Sequence, residues 1–249
     1  MEKPRRVKKE SPASDFDKHD PQGGMTEPRI ARKQWSVAMC INHWAMAVCI
    51  VILIISGFYI GRPFTIGAGE TWQKFSVANV RFVHLLFGFM LTSLIVWRAY
   101  LAFFSRFHAD WKDFFAWLDL KNVYKQILFY TLITTDLPEH TGLYGTLQSA
   151  AYGFLLIMVL VIVVTGLILY GALHSVGLGG FLSAALYPLQ GILNGLAGVR
   201  FIHHILTWFF VLFIFVHTYL AFWYDIVIKK GTISSIISGR VFEKAGEHH

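Results

Sequence analysis

One hydrophobic run near the C-terminus, residues 200–224, constrains this chain more than any other stretch. It reads RFIHHILTWFFVLFIFVHTYLAFWY, which is long and apolar enough to cross a bilayer as a single helix. The run also contains three histidines, His203, His204 and His217. Ionisable side chains are costly to insert into a membrane and usually mark a functional site. The run therefore predicts a membrane-spanning helix that carries chemistry.

The spacing of these histidines places two of them on one face of the helix. Fourteen residues separate His203 from His217, which is about 21 Å of rise, and the two rings lie within about 40° of each other. This spacing suits a helix that ligates two stacked planar cofactors, and haem is the obvious candidate because imidazole is a common axial ligand. His204 is turned away from His217 by roughly 140°. We expect His204 to meet a haem propionate, a partner subunit or another helix, or else to replace His203 as the ligand.

The composition of the chain favours an integral membrane protein over a soluble domain. Of its 249 residues, 55% are hydrophobic and only 15% are charged. The net charge of +7 sits mostly in the two tails, which indicates membrane topology and lipid contact rather than a nucleic-acid partner. The two cysteines, Cys40 and Cys49, are expected to be buried apolar residues without a disulfide or a zinc site.

Four hydrophobic runs predict an all-α membrane protein, a four-helix bundle with spans at residues 35–60, 80–104, 148–170 and 200–224. We expect residues 1–34 to form a disordered cytoplasmic tail, residues 35–226 the membrane domain, and residues 227–249 a second cytoplasmic tail. Residues 110–130 and part of residues 174–199 are expected to form interfacial helices. Lys and Arg cluster in the tails and the second connection, so the positive-inside rule places both termini in the cytoplasm.

This topology gives every intramembrane histidine a depth. His43 begins a span that runs outward and lies toward the cytoplasm with His217, whereas His84 begins a span that runs inward and lies toward the external face with His203. A haem with two imidazole ligands needs two histidines at one depth on different helices, and the chain offers this twice. For one such histidine, an interhelical hydrogen bond is the commoner role. Four at paired depths favour two haems, and the absence of a Cys-x-x-Cys-His motif favours the non-covalent b type.

Two arginines precede the histidines at the predicted external face. RFVHLL and RFIHHIL place Arg81 and Arg200 one turn before His84 and His203. From there a guanidinium can reach the interface and neutralise haem propionates, although both arginines could instead be plain interfacial anchors. Gly57 lies fourteen residues after the histidine of the first span, where a missing side chain would let a porphyrin lie against the backbone.

Three motifs within the spans are similar to those of one known family. They are NHWAMAVCIVILIISGFYIGRP in the first span, RFVH in the second and R-x-x-H-H-x-x-x-W-x-F-x-x-F-x-x-x-H in the fourth. In these motifs the chain resembles the cytochrome b subunit of membrane-bound nickel–iron hydrogenases. The resemblance implies two haem b groups, whose ligand positions fall on His43, His84, His203 and His217.

The resemblance also implies partners and a direction of electron transfer. Hydrogenase small and large subunits would bind the external face of a bacterial inner membrane, and electrons would pass from the outer haem to the inner haem. They would then reduce menaquinone or ubiquinone, so the chain is the electron-transfer subunit of an enzyme and does not itself oxidise hydrogen. Glu139, His140 and Tyr144 are candidate quinone contacts, unless they are ordinary loop residues.

Two other functions are compatible with part of this arrangement of spans and histidines. The cytochrome subunit of a formate dehydrogenase, or of another quinone-linked oxidoreductase, would have the same haem chemistry and a different partner. A histidine-bearing membrane transporter would be expected to carry acidic residues or helix interruptions beside its histidines. The predicted spans contain no Asp, Glu or Pro, so the transporter is the remoter alternative.

Overall fold

Long helices make up nearly all of the structure, a computed structural model that describes residues 29–63, 76–104, 146–228 and 231–244 and a few positions between 121 and 131. The helices in these residues are α1 (Val37–Gly61), α2 (Ser76–Phe104), α3 (Thr146–Leu173), α4 (Gly177–Ile192), α5 (Gly195–Ile228) and α6 (Thr232–Ser238). Two short strands, β1 (Arg29–Lys33) and β2 (Arg240–Lys244), lie at the ends. The interfacial helix expected at residues 110–130 falls almost entirely outside the described residues.

Four of the described helices, α1, α2, α3 and α5, are long and apolar enough to cross a membrane. They confirm the predicted all-α, four-span bundle. α2, α3 and α5 extend beyond their predicted runs, whereas α1 begins two residues later and ends one residue later than predicted. The cytoplasmic location of both termini stays a prediction.

The connection between the third and fourth spans folds back on the bundle. Its helix, α4, lies against the end of α3, where a Cβ on Gly171 would come within 2.8 Å of the Ser183 backbone nitrogen. A turn with positive φ at Asn194 (64°) and Gly195 (75°) then starts α5. The helix predicted within residues 174–199 is therefore present, and its depth in the membrane stays a prediction.

The four spans associate as two hairpins. α1 packs along α2, and α3 packs along α5, whereas the two hairpins touch each other at few residues. Within the first hairpin, the buried Asn42 side chain donates a hydrogen bond of 3.0 Å from Nδ2 to the Leu94 carbonyl oxygen. The boundary between the hairpins is where α5 comes opposite α1 and α2.

The two tails meet in a small antiparallel sheet. β1 pairs with β2 from Arg29 opposite Lys244 to Lys33 opposite Arg240. Gly239, at φ +76°, leads into β2, and a Cβ there would lie 2.7 Å from the Trp35 carbonyl oxygen. The expected disorder of residues 1–34 thus does not extend to Arg29–Lys33, because a partner more than two hundred residues away supplies the hydrogen bonds that local composition does not indicate.

Candidate functional site

Four histidines form two pairs at the boundary between the hairpins, and within each pair the two rings face each other. His84 on α2 and His203 on α5 have ring centroids 6.3 Å apart with an interplanar angle of 69°. His43 on α1 and His217 on α5 have centroids 6.3 Å apart with an angle of 47°. We call the first the outer pair and the second the inner pair, after their predicted depths. The structure thus brings together the histidines that the sequence paired.

The separation of the rings is suited to a shared metal atom. When two imidazoles bind one first-row metal, each through a ring nitrogen at about 2 Å, their ring centroids lie about 6 Å apart. Both pairs have this spacing. Because the two histidines of each pair come from different hairpins, each pair is compatible with a planar cofactor between them.

The hydrogen bonds of the outer pair leave one ring nitrogen of each histidine available. The Ser56 hydroxyl lies 2.8 Å from Nδ1 of His84 and donates its own proton to the Ile52 carbonyl oxygen at 2.7 Å. A hydroxyl that donates to a carbonyl can still accept through its oxygen, so this arrangement favours the tautomer of His84 that carries its proton on Nδ1 and donates to Ser56. The neutral ring therefore keeps a lone pair on Nε2, which is the form that binds a metal.

His203 is held in the same way from α3. Its Nδ1 lies 2.9 Å from the Thr165 hydroxyl, which donates to the Val161 carbonyl oxygen at 2.8 Å. Thr165 is fully buried, so the hydrogen bond is shielded from water. Both outer rings are thus fixed in orientation, with Nε2 free to ligate.

A glycine follows each hydroxyl residue and lets the imidazole lie against the helix. A Cβ at Gly57, after Ser56, would lie 3.3 Å from Cε1 of His84, and a Cβ at Gly166, after Thr165, would lie 3.3 Å from Cε1 of His203. A larger side chain at either glycine would push the ring away. The sequence had assigned Gly57 to the porphyrin of the first-span histidine, whereas the structure places it against His84.

The inner pair is held differently. Nδ1 of His43 is buried and has no hydrogen-bond partner among the described residues. The His43 ring meets Trp44 edge to face at 5.4 Å, while His217 stacks on Phe213 at 5.4 Å with an interplanar angle of 15°. Aromatic packing therefore positions the inner rings where hydrogen bonds position the outer rings.

His204 does not join either pair. Its ring packs on the last turn of α1, where a Cβ at Gly61 would lie 3.0 Å from Cε1 and the Phe58 ring meets it edge to face at 6.0 Å. Of the roles considered for His204, contact with another helix is the one that the structure contains. His203 is the residue that faces His84.

The other predicted site residues are either exposed or outside the described residues. Arg81 and Arg200 are exposed, each one turn before an outer histidine, so their guanidinium groups are accessible at that end of the bundle. Glu139, His140 and Tyr144 lie outside the described residues.

Sequence reasoning predicted the span that forms α3 but gave it no role at the site, because that span contains no histidine. The available signal was a repeated dipeptide, Ser56–Gly57 in α1 and Thr165–Gly166 in α3. Each pairs a small hydroxyl with a glycine inside an otherwise aliphatic span. This combination permits a ring to approach closely and accepts its hydrogen bond.

Comparison with known proteins places the chain among membrane cytochromes. The family model for prokaryotic cytochrome b561 matches residues 34–239. The chain is 29% identical over 214 residues to the probable Ni/Fe-hydrogenase B-type cytochrome subunit of Azotobacter vinelandii, covering 81% of this chain and 85% of the relative. It is 26% identical over 202 residues to that of Rhodobacter capsulatus, covering 79% and 76%. It is 24% identical over 221 residues to the probable Ni/Fe-hydrogenase 1 B-type cytochrome subunit of Escherichia coli K12, covering 83% and 89%.

Proposed function

Because the chain belongs to the prokaryotic cytochrome b561 family, we propose that it is the membrane cytochrome b subunit of a nickel–iron hydrogenase. It is a multi-pass membrane protein with four spanning helices, and b-type cytochromes hold haem b. The proposal is that it holds two haem b groups and passes electrons from an external hydrogenase to a membrane quinone.

The observation that carries this proposal is that two histidines of α5, at two levels, each face another histidine at the same ring separation. α5 presents His203 and His217, fourteen residues apart, and each faces a histidine of the first hairpin at 6.3 Å. The levels are separated by about 21 Å, a large part of the hydrocarbon thickness of about 30 Å. Two ligand pairs at these levels support electron transfer from one membrane face toward the other.

The residues of the chain supply the binding and the surroundings of the cofactors. Each haem, when bound, supplies the one-electron chemistry of its iron. The outer pair and the inner pair would hold the two haems through ring nitrogens, and the Ser56 and Thr165 hydroxyls orient the outer rings. The apolar spans exclude water, and Arg81 and Arg200 offer positive charge at the outer end for propionates.

The proposed direction of transfer follows from the predicted topology. Hydrogenase small and large subunits would bind at the external face, beside the outer pair, in a bacterial inner membrane. Menaquinone or ubiquinone would be reduced near the inner pair, with Glu139, His140 and Tyr144 as proposed contacts. The names of the three relatives support hydrogenase over formate dehydrogenase as the partner enzyme.

The test is haem quantitation with a reduced-minus-oxidised spectrum of the purified full-length chain. We expect about two non-covalent haem b groups per chain, and we expect His84→Ala and His43→Ala each to remove one. His204→Ala is the matched control and retains both, because His204 packs on Phe58 and Gly61.

Two results would contradict the proposal. One is wild-type protein without a Soret band after haem-replete expression. The other is retention of both haems in His84→Ala or in His43→Ala. In the assembled hydrogenase, His43→Ala should also abolish hydrogen-dependent quinone reduction while hydrogen-dependent reduction of a soluble dye persists.

A further inference from the structure

Buried polar atoms without partners are concentrated at the inner end of the bundle. Among the described residues these atoms are Oδ1 of Asn42, Nδ1 of His43, Nη1 of Arg98 and Nε1 of Trp223. They lie near the start of α1 and near the ends of α2 and α5, which is one end of the bundle. Leaving such groups unsatisfied is costly, so each needs an explanation. Arg98 is the charged member and has the most to gain from a ligand.

The register of the first hairpin places Arg98 near the level of the inner pair. Ser56 on α1 touches His84 on α2. Fourteen residues back along α1 is Asn42, and fourteen residues forward along α2 is Arg98, so antiparallel helices bring Arg98 to within about one turn of the level of Asn42. The hydrogen bond from Asn42 to the Leu94 carbonyl, one turn before Arg98, fixes this register. Asn42 immediately precedes His43.

Arg98 also lies on the face of α2 that presents His84. A step of fourteen residues returns to within about 40° of the same direction, as it does from His203 to His217 on α5. Helical side chains lean toward the N-terminus of their helix, which for α2 is the direction of the His43 level. From helix geometry we therefore expect the Arg98 side chain to lean toward the level of the inner pair.

The spanning helices contain no Asp or Glu side chain at the level of Arg98. They contain no Asp or Glu before Asp225, and the Asp225 side chain accepts a hydrogen bond from the Thr232 backbone N–H. A guanidinium with a buried nitrogen in a membrane protein is expensive unless an anion pairs with it. A carboxylate is the anion that matches its planar set of donors.

We propose that Arg98 binds a carboxylate at the level of the inner pair, and that this carboxylate is a propionate of the haem held by His43 and His217. This inference rests on the proposed function. It makes Arg98 the inner counterpart of Arg81 and Arg200, which precede the outer histidines. It also accounts for a positive charge placed within the bundle instead of at its rim.

The experiment is a potentiometric titration of the purified full-length chain carrying Arg98→Gln. Removing a positive charge beside the iron favours its oxidised form, so the midpoint of the inner component should fall. We expect about a tenfold change in its reduction equilibrium constant, about 59 mV for one electron. The inner component is identified as the one that His43→Ala removes, and the outer component should not move.

Two further variants control for charge and for folding. Arg98→Lys keeps the charge and should recover most of the midpoint. Arg240→Gln removes an exposed charge at the same end of the bundle and should move neither component. An inner midpoint that is unchanged in Arg98→Gln overturns the inference.

Loading the protein with haem dimethyl ester tests whether the carboxylate is a propionate. We expect the ester to bind the wild-type inner site about tenfold more weakly than haem, and Arg98→Gln to abolish that difference, because the two changes remove one interaction. A difference that persists in Arg98→Gln overturns the propionate assignment. So does an Arg98→Gln variant whose quinone KM rises while its inner midpoint and haem affinity stay the same.

The failures of the two proposals are distinguishable. Wild-type protein with one haem component or none contradicts the proposed function. Wild-type protein with two components, neither of which responds to Arg98→Gln, leaves the proposed function standing and rejects only the role of Arg98.

Discussion

The outer and inner histidine pairs have the same ring separation and different supports. In both pairs the centroids are 6.3 Å apart. Around the outer pair, the hydroxyls of Ser56 and Thr165 lie within hydrogen-bond distance, 2.8 and 2.9 Å, of the two Nδ1 atoms. Around the inner pair, Nδ1 of His43 has no partner among the described residues, and His217 stacks on Phe213.

This difference shows that one ring separation can be built by two kinds of interaction. A hydrogen bond to Nδ1–H fixes the tautomer and makes the imidazole a stronger donor to a metal. Aromatic stacking fixes the plane of the ring with little effect on its basicity, and contributes about 0.5–1.5 kcal/mol beyond burial. The outer site should therefore depend on particular polar atoms, and the inner site on the shape of its neighbours.

The largest expected effect comes from filling the space beside an outer ring. Gly166→Val should displace His203, because even a Cβ at this position lies 3.3 Å from Cε1 and valine adds two methyl groups to it. We expect loss of the outer haem, about half of the total haem, with the inner haem retained. Haem quantitation and the spectrum of the remaining component measure this.

Gly153→Val is the matched control on the same helix. A Cβ at Gly153 meets no protein atom within 4 Å, so this variant should retain the outer haem. If Gly166→Val also retained the outer haem in full, close packing of the His203 ring on α3 would not be a requirement of the site.

A smaller effect is expected from removing the hydroxyls. Ser56→Ala and Thr165→Val each leave an outer Nδ1–H without its hydroxyl acceptor. Loss of such supporting contacts at metal sites typically costs about 10–100-fold in affinity, and we expect about tenfold for the outer haem. The outer midpoint should rise, because a less basic ligand stabilises the oxidised iron less.

Thr92→Val is the control for these two variants, because it removes a hydroxyl from a spanning helix without touching a histidine. The Thr92 hydroxyl donates to the Gly88 carbonyl oxygen on its own helix and should affect neither haem. If Ser56→Ala and Thr165→Val altered the inner component as much as the outer one, the contrast between the two pairs would be wrong.

The sequence predicted the features that depend on local pattern. Four apolar runs predicted the four spans, and helix periodicity with span order predicted which histidines face each other. These predictions succeed because a spanning helix has a known rise and turn and must cross a layer of known thickness. Depth in a membrane is therefore calculable from residue number in a way that position in a soluble fold is not.

The features that the sequence did not predict depend on which helix faces which. The role of Thr165 requires that α3 lie against His203, and the placement of Gly57 requires that α1 lie against His84. Neither neighbour can be read from a single span. The pairing of β1 with β2 likewise joins the two ends of the described chain, and short polar segments carry no strong signal for a distant partner.

The smallest expected effect tests the aromatic support of the inner pair. Phe213→Leu keeps a large apolar side chain and removes the ring that stacks on His217. Losing about 0.7 kcal/mol of ring interaction corresponds to about a threefold weaker affinity for the inner haem, with the outer haem unaffected. Phe215→Leu is the matched control, because Phe215 is 70% exposed and its ring does not support a ligand. Equal effects of both variants on the inner haem, measured by competitive haem transfer, would mean that bulk apolar packing rather than stacking holds His217. In that case, the inner pair would differ from the outer pair only in lacking hydrogen bonds.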